Sequence, residues 1–254
     1  MTDQQMETQH ENPVIAIKGL SKSFGSQKVL DELDLDLYKQ ENLVVLGKSG
    51  SGKSVLIKLI VGLLPVDSGS INVLGNEVTE LQREALAEIR EKIGFLFQSG
   101  ALYDSMSVRQ NLEFPLRRIR KKMTDKAMND KIMEVLENVG LADVLDKMPS
   151  ELSGGMRKRI ALARTIIVDP QIMLYDEPTT GLDPTTSNEI SALILKVQET
   201  YKTSSIIITH DIACARKVAN RLVMLSDGKV YKEGKLDDFE NSDDKMIQSF
   251  FDSI

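Results

Sequence analysis

The octapeptide GKSGSGKS at 47–54 lies between two apolar runs, LVVLG (43–47) and VLIKLI (55–60). It fits the pattern G-x-x-x-x-G-K-[ST], a glycine-rich turn whose backbone N–H groups converge on phosphate oxygens at the positive end of a helix dipole. Gly47, Lys48, Ser49, Gly50, Ser51, Gly52, Lys53, Ser54 and Val55 are thereby candidate phosphate contacts, with Lys53 reaching the β and γ phosphates and Ser54 ligating Mg²⁺. IMLYDEP at 172–178 puts two carboxylates at the end of an apolar run, and along a strand successive side chains alternate faces. Asp176 then suits the Mg²⁺ shell and Glu177 the polarising of an attacking water, a division of labour that phosphoryl transfer needs. A carboxylate pair that caps the following turn is the plainer alternative.

Two further groups belong to the same chemistry. His210 follows SIIIT (205–209), and Gln98 ends IGFLFQ (93–98). Both stand at strand ends, where α/β folds gather their ligands, and Gln98 is in position to touch the metal or the water. The other histidine, His10, lies in a polar terminal stretch. ELSGGMRKR at 151–159 is a second glycine-bearing helix start. Ser153, Gly154 and Gly155 offer a hydroxyl and free backbone donors to a phosphate, yet they lie at the base of a helical segment, away from their own chain's nucleotide. A head-to-tail dimer resolves this, each copy's serine-glycine turn closing over the γ phosphate held by the other's Lys53. A plain serine N-cap with glycine spacers is the competing reading.

The elements that must position these groups are legible in outline. LVVLG (43–47), IMLYDE (172–177) and SIIIT (205–209) read as strands buried on both faces of a parallel sheet. The helical segments that follow them, at 53–63, 185–200 and 211–219, complete the βαβ pattern of a doubly wound fold. LDLDL (33–37), paired with 14–18, predicts a smaller antiparallel sheet at the edge. From about 100 to 160 strand-like runs vanish; Thr124 as N-cap, apolar residues at Met128, Ile132, Val135, Leu136 and Val139, and Gly140 as terminator mark a helix in an inserted helical lobe. Asp227-Gly228 predicts a hairpin, and 241–254 a short amphipathic helix.

Composition sets limits. The 254 residues carry a net charge of -6, which gives no general attraction to nucleic acid. Cys214 is the single cysteine, so the chain forms no internal disulfide and no cysteine-built zinc site, in keeping with a reducing compartment. The N-terminal stretch is polar, without the apolar segment of a secretion signal, and is read as a loose tail. The apolar region 55–66 is interrupted by Lys58 and falls short of the roughly 20 residues that cross a bilayer. Any membrane link is expected through a partner. The basic run RRIRKK (117–122) is read as a solvated loop, with a membrane-surface role as the alternative.

From about 14 to 235 these motifs, in this order, resemble the nucleotide-binding subunit of ABC transporters. The resemblance implies an α/β P-loop NTPase (RecA-like) parallel sheet with an edge antiparallel β subdomain and an inserted α-helical subdomain. It makes 1–12 a flexible tail, 13–240 a single domain (core 13–97 and 163–240, helical part 98–162) and 241–254 a C-terminal helix. Phe24 resembles the adenine-stacking aromatic, 47–54 the Walker A loop, Gln98 the Q-loop, 152–156 the signature and 172–177 the Walker B strand. GLDP at 181–184 is similar to the D-loop, with Asp183, and His210 to the switch histidine. Met156 departs from the usual signature glutamine, and Gly181 and Leu182 vary the D-loop. ATP and Mg²⁺ are the implied cofactors, a homodimer and an integral membrane permease the implied partners, and the cytoplasmic face of the inner membrane the implied location. LFQSGALYDSMSV (96–108), together with LSGGMRKRIALAR (152–164) and YDEPTTGLDP (175–184), resembles the ATPase of Mla-type phospholipid transport systems, which adds an MCE-domain substrate-binding protein to the expected partners. A soluble single-cassette ATPase of cofactor assembly and a small-molecule P-loop kinase are the rivals, though a kinase leaves 152–156 without a role.

Overall fold

The computed structural model describes residues 12–120 and 122–251. The tail expected over 1–12 lies outside these residues apart from Asn12, as do Lys121 of the basic run and the last three residues of the expected C-terminal helix.

The chain opens with β1 (Ile15–Phe24) and β2 (Gln27–Leu37), passes through β3 (Asn42–Gly47) and α1 (Lys53–Ile60), and returns as β4 (Ser68–Val73) and β5 (Asn76–Glu77). After α2 (Arg83–Glu91) and β6 (Ile93–Leu96) come three helices, α3 (Val108–Ile119), α4 (Asp125–Asn138) and α5 (Gly154–Ile166). Strands then alternate with helices as β7 (Ile172–Asp176), α6 (Pro184–Tyr201), β8 (Ser204–Ile208), α7 (Ile212–Val218) and β9 (Arg221–Ser226). The hairpin strand β10 (Lys229–Gly234), α8 (Leu236–Glu240) and α9 (Lys245–Phe251) complete it.

Two sheets result. The larger has the order β10-β9-β3-β8-β7-β6, parallel except where β10 turns back on β9. Every residue of β3, β7 and β8 is buried, so these strands carry unbroken apolar runs rather than an alternating pattern. Their side chains still alternate in destination. Leu43 and Val45 join α1 residues Leu56, Ile57 and Ile60 in one cluster, while Val44 and Leu46 join Met173, Tyr175 and the helices α3 to α5 in another. The smaller antiparallel sheet, β2-β1-β4-β5, contributes Ile15, Ile17, Leu33, Leu35 and Leu37 to the α1 cluster. Its expected pairing is present as Ile15 opposite Leu37 and Ile17 opposite Leu35, within strands longer than the alternation alone delimits.

The helical segment is bounded by side-chain caps. Ser107 and Gln110 form a reciprocal capping box on α3, and Thr124 accepts from Ala127 N to start α4. Gly140 takes a left-handed φ of 70° just beyond α4. Asp227 (φ 51°) and Gly228 (φ 77°) form the turn between β9 and β10.

The C-terminal helix begins later than 241. Asp244 accepts from Met246 N at 2.8 Å, and its cap makes α9 a separate helix after the break that follows α8. The strand expected over 172–177 also ends one residue early, at Asp176, with consequences for the site.

Candidate active site

The loop from Gly47 to Ser54 joins β3 to α1. Gly52, at φ 96°, is the N-cap of α1, and a Cβ there would come within 2.7 Å of Leu30 Cδ2 and 2.9 Å of Val29 O. Only glycine fits this left-handed, crowded position. Because it brings no side chain to cap the helix, the first N–H groups of α1 are left for an acceptor from outside. Lys53 folds back over the loop, its Nζ donating to Gly47 O at 2.6 Å and Lys48 O at 3.1 Å. Burial pulls this ammonium below the usual lysine range, against the opposing attraction of Glu177 and Asp176.

Beside the loop opens a cleft of about 420 Å³ lined by Val29, Ser49, Gly50, Gly52, Lys53, Ser54, Val55, Gln98, Glu177 and His210. The sheet order explains the gathering: the loop follows β3, His210 follows β8, Glu177 follows β7 and Gln98 follows β6, all at the C-terminal edge of parallel strands. Ser54 Oγ donates to Asp176 Oδ1 at 2.9 Å, and Asp176 is buried.

Glu177 diverges from its neighbour for a reason other than strand alternation. It stands beyond the end of β7 in the left-handed region, at φ 50°, with its N–H donated to Ile208 O at 2.9 Å. That backbone costs a non-glycine residue energy and persists because the surroundings hold it. Its carboxylate oxygen Oε2 accepts from Thr180 Oγ1 at 3.1 Å and lies 2.8 Å from His210 Nδ1. A carboxylate accepting that bond assigns the ring proton to Nδ1.

Other predicted residues lie apart. Phe24, at the end of β1, is 48% exposed and outside the cleft lining, with Lys22 Nζ 5.5 Å from its ring centroid. Lys48 and Ser51 line a second cleft with Met246 and Phe250 of α9. Ser153 caps α5, its Oγ accepting from Met156 N at 3.2 Å. The turn it begins packs on the start of α6 and the residues just before it: a Cβ at Gly155 would meet Thr186 Cγ2 at 2.6 Å, and one at Gly154 would reach Leu182 at 3.8 Å. Asp183 caps α6 and binds Thr186 through its N–H and hydroxyl, which hold its carboxyl below the usual range. Ser153, Gly154, Gly155 and Asp183 are all absent from the cleft lining.

Sequence reasoning passed over Thr180 and Lys158. The Lys158 ammonium donates to the carbonyl of Gln98, and the residue is buried. Its place was marked: Lys158, Ala161 and Leu162 share the i, i+3, i+4 face of α5, and the latter two are fully buried. Thr180, one turn past Glu177, left no such periodic signal.

Among the described residues no cluster of three or more His, Cys, Asp or Glu side chains could enclose a metal. A buried aspartate joined to a serine hydroxyl is instead a hard, oxygen-only donor set open on one side, which fits Mg²⁺ sharing its shell with phosphate oxygens and water.

The model of the ABC transporter family matches residues 30–180. The probable ribonucleotide transport ATP-binding protein mkl of Mycobacterium leprae (strain TN) is 41% identical over 236 residues, covering 93% of this chain and 68% of that protein. Its Mycobacterium tuberculosis counterpart is covered to 66%, so the chain spans about two thirds of these mycobacterial relatives. The intermembrane phospholipid transport system ATP-binding protein MlaF of Haemophilus influenzae is 36% identical over 237 residues, covering 93% of this chain and 89% of that protein. Among solved structures, a dimeric post-hydrolysis state of the ATP-binding cassette MJ0796, bound to ADP and Pi, superposes with a TM-score of 0.80 at 31% identity over 87% of this chain and 98% of that one. Family and fold agree: the chain belongs to the ABC transporter family and is an ATPase subunit with the P-loop ABC fold.

Proposed function

We propose that two copies of this chain close head to tail around two ATP molecules, hydrolyse them, and drive a membrane permease that moves phospholipid in the cell envelope. The observation that carries the dimer is the position of the Ser153–Gly155 turn, seated on Leu182 and Thr186 and outside the cleft that holds Lys53. A glycine-rich helix start that lies outside its own chain's phosphate-loop cleft has a use once a second copy supplies the phosphate. The relative MJ0796, solved as a dimer with ADP and Pi, supports the arrangement.

In this reading Lys53 and the first N–H groups of α1 hold the β and γ phosphates, and Phe24 stacks on the adenine. Ser54, Asp176 and Gln98 would hold Mg²⁺, which would neutralise charge developing on the transferred phosphoryl group. Glu177, fixed in its left-handed turn by Ile208, Thr180 and His210, takes the proton of the attacking water. His210 orients that carboxylate and the γ phosphate, while Asp183 and the Ser153–Gly155 turn meet the partner copy. Met156 stands where the family's signature has glutamine, and the phosphate is left to the Ser153 hydroxyl and the glycine amides.

The permease is proposed to dock beside Gln98, where Val61, Leu63, Arg90, Ile93, Phe95 and Phe97 line a groove of about 170 Å³. Leu63 is 52% exposed there, and the Phe95 and Phe97 rings are 4.1 Å apart. Among the described residues no helix is long and apolar enough to cross a membrane, so attachment to the cytoplasmic face would run through this groove. Similarity to MlaF supports phospholipid as cargo and an MCE-domain protein as a further partner. Similarity to the mycobacterial ribonucleotide transport protein favours a second reading, ribonucleotide transport. Purifying the complex from membranes and following ATP-dependent transfer of fluorescent phospholipid, with labelled ribonucleotide in parallel, decides between them. Phospholipid transfer that needs Glu177 is expected, and transfer of ribonucleotide alone would reassign the cargo.

A further inference from the structure

Lys53 is not the only lysine buried near the carboxylates of the cleft. Lys158 is 6% exposed, and burial pulls its ammonium down while Asp176, then Glu177, oppose that shift. It belongs to the core-facing row of α5 with Ala161 and Leu162, where an apolar side chain would cost less. The charge is turned to a specific use: Nζ donates to the backbone carbonyl of Gln98, sixty residues away and two past the end of β6. Five residues earlier on the same helix, Ser153 begins the turn that stands outside the chain's own cleft. One ammonium thus joins a residue lining one nucleotide cleft to the helix whose N-terminus serves the other.

We propose that Lys158 is a positioning residue that ties Gln98 in a chain's own cleft to the Ser153–Gly155 turn offered to its partner, so that each site senses the state of the other. The proposal rests on the head-to-tail dimer described above. Its physical basis is that the carbonyl held by Lys158 and the side chain lining the cleft belong to one residue, Gln98. If the loop shifts when nucleotide and metal arrive, the bond to Lys158 carries the shift along α5, a rigid helix of 13 residues. Without the bond, α5 and its turn can settle independently of the cleft.

The test compares Lys158→Met, of similar reach but without a donor, with Lys158→Gln, which keeps an N–H for the carbonyl. In the full-length protein, Lys158→Met is expected to lower kcat by about tenfold, with KM for ATP within about twofold, the split that marks loss of positioning rather than of ground-state binding. The Hill coefficient should fall toward one. Lys158→Gln should recover kcat to within about threefold and restore cooperativity. Binding of a fluorescent ATP analogue to the monomer should match wild type in both variants. Wild-type kcat and cooperativity in Lys158→Met, or equal loss in Lys158→Gln, would overturn the proposal. Should Lys158→Met fail to fold, Lys158→Leu takes its place as the donor-less variant under the same criteria, with Lys158→Gln again the rescue. Lys53→Ala, run alongside, tests the site reading separately, because it should abolish nucleotide binding whatever Lys158 does.

Discussion

His210 Nδ1 lies 2.8 Å from Glu177 Oε2, although the two residues are 33 positions apart and leave the sheet from different strands. β7 and β8 are neighbours, and Glu177 N–H donates to Ile208 O, so the turn after one strand is latched to the end of the next. The carboxylate is held by a backbone turn and an imidazole together, leaving Oε1 free for water.

Glu177→Gln keeps the size and can still accept from His210, but it cannot take up a proton. Hydrolysis should fall by about 10² to 10⁴, the usual weight of a general base, with ATP binding retained. Steady-state phosphate release, with size-exclusion chromatography in ATP, checks both parts. An ATP-bound dimer should accumulate, and wild-type turnover would remove Glu177 from this role.

Asp176 meets Ser54 at 2.9 Å in a buried position, so Asp176→Asn changes charge with little change of shape. The Mg²⁺ concentration for half-maximal hydrolysis should rise by about 10- to 100-fold, the effect of weakening a metal's ligand shell. A Mg²⁺ titration equal to wild type would place the metal elsewhere.

Cys214 is buried against α6, and burial pushes its thiol up to about 11. An unfolded thiol ionises near 8.5, so the native state holds its proton longer than the unfolded one. The resulting stability is complete below about 8.5 and is lost as pH rises through about 11. Urea unfolding of wild type and Cys214→Ala should therefore give a stability difference that narrows between pH 8 and pH 11. In the same range native Cys214 should resist alkylation, whereas unfolded chain reacts quickly. A difference constant with pH would contradict the assignment.

The parallel core was legible because β3, β7 and β8 are buried on both faces and announce themselves as unbroken apolar runs. The phosphate loop was legible because its spacing is dictated by one chemical task. Strand alternation predicts that Glu177 diverges from Asp176, but its direction comes from a φ of 50° beyond the end of β7 rather than from the pleat. A left-handed φ at a glutamate, unlike one at the Asp227-Gly228 turn, leaves no trace in residue type. Lys158 hid inside MRKR, which looks like a solvated basic stretch until its row on α5 is traced to Ala161 and Leu162. The start of α9 depended on which of Ser242, Asp243 and Asp244 caps it, a choice among equivalent residues that tertiary packing makes.

The shared cleft is tested most directly by mixing two inactive variants. Ser153→Arg blocks the turn but leaves the phosphate loop intact, and Lys53→Ala does the reverse. Each alone should hydrolyse almost nothing, yet a mixed dimer contains one complete site, built from the loop of the first and the turn of the second. Measurable recovery, at most about half the wild-type rate per dimer, is predicted, because one of two sites is restored while its coupled neighbour stays empty. A Ser153→Arg protein that hydrolyses like wild type by itself, or mixed dimers that recover nothing, would contradict the account.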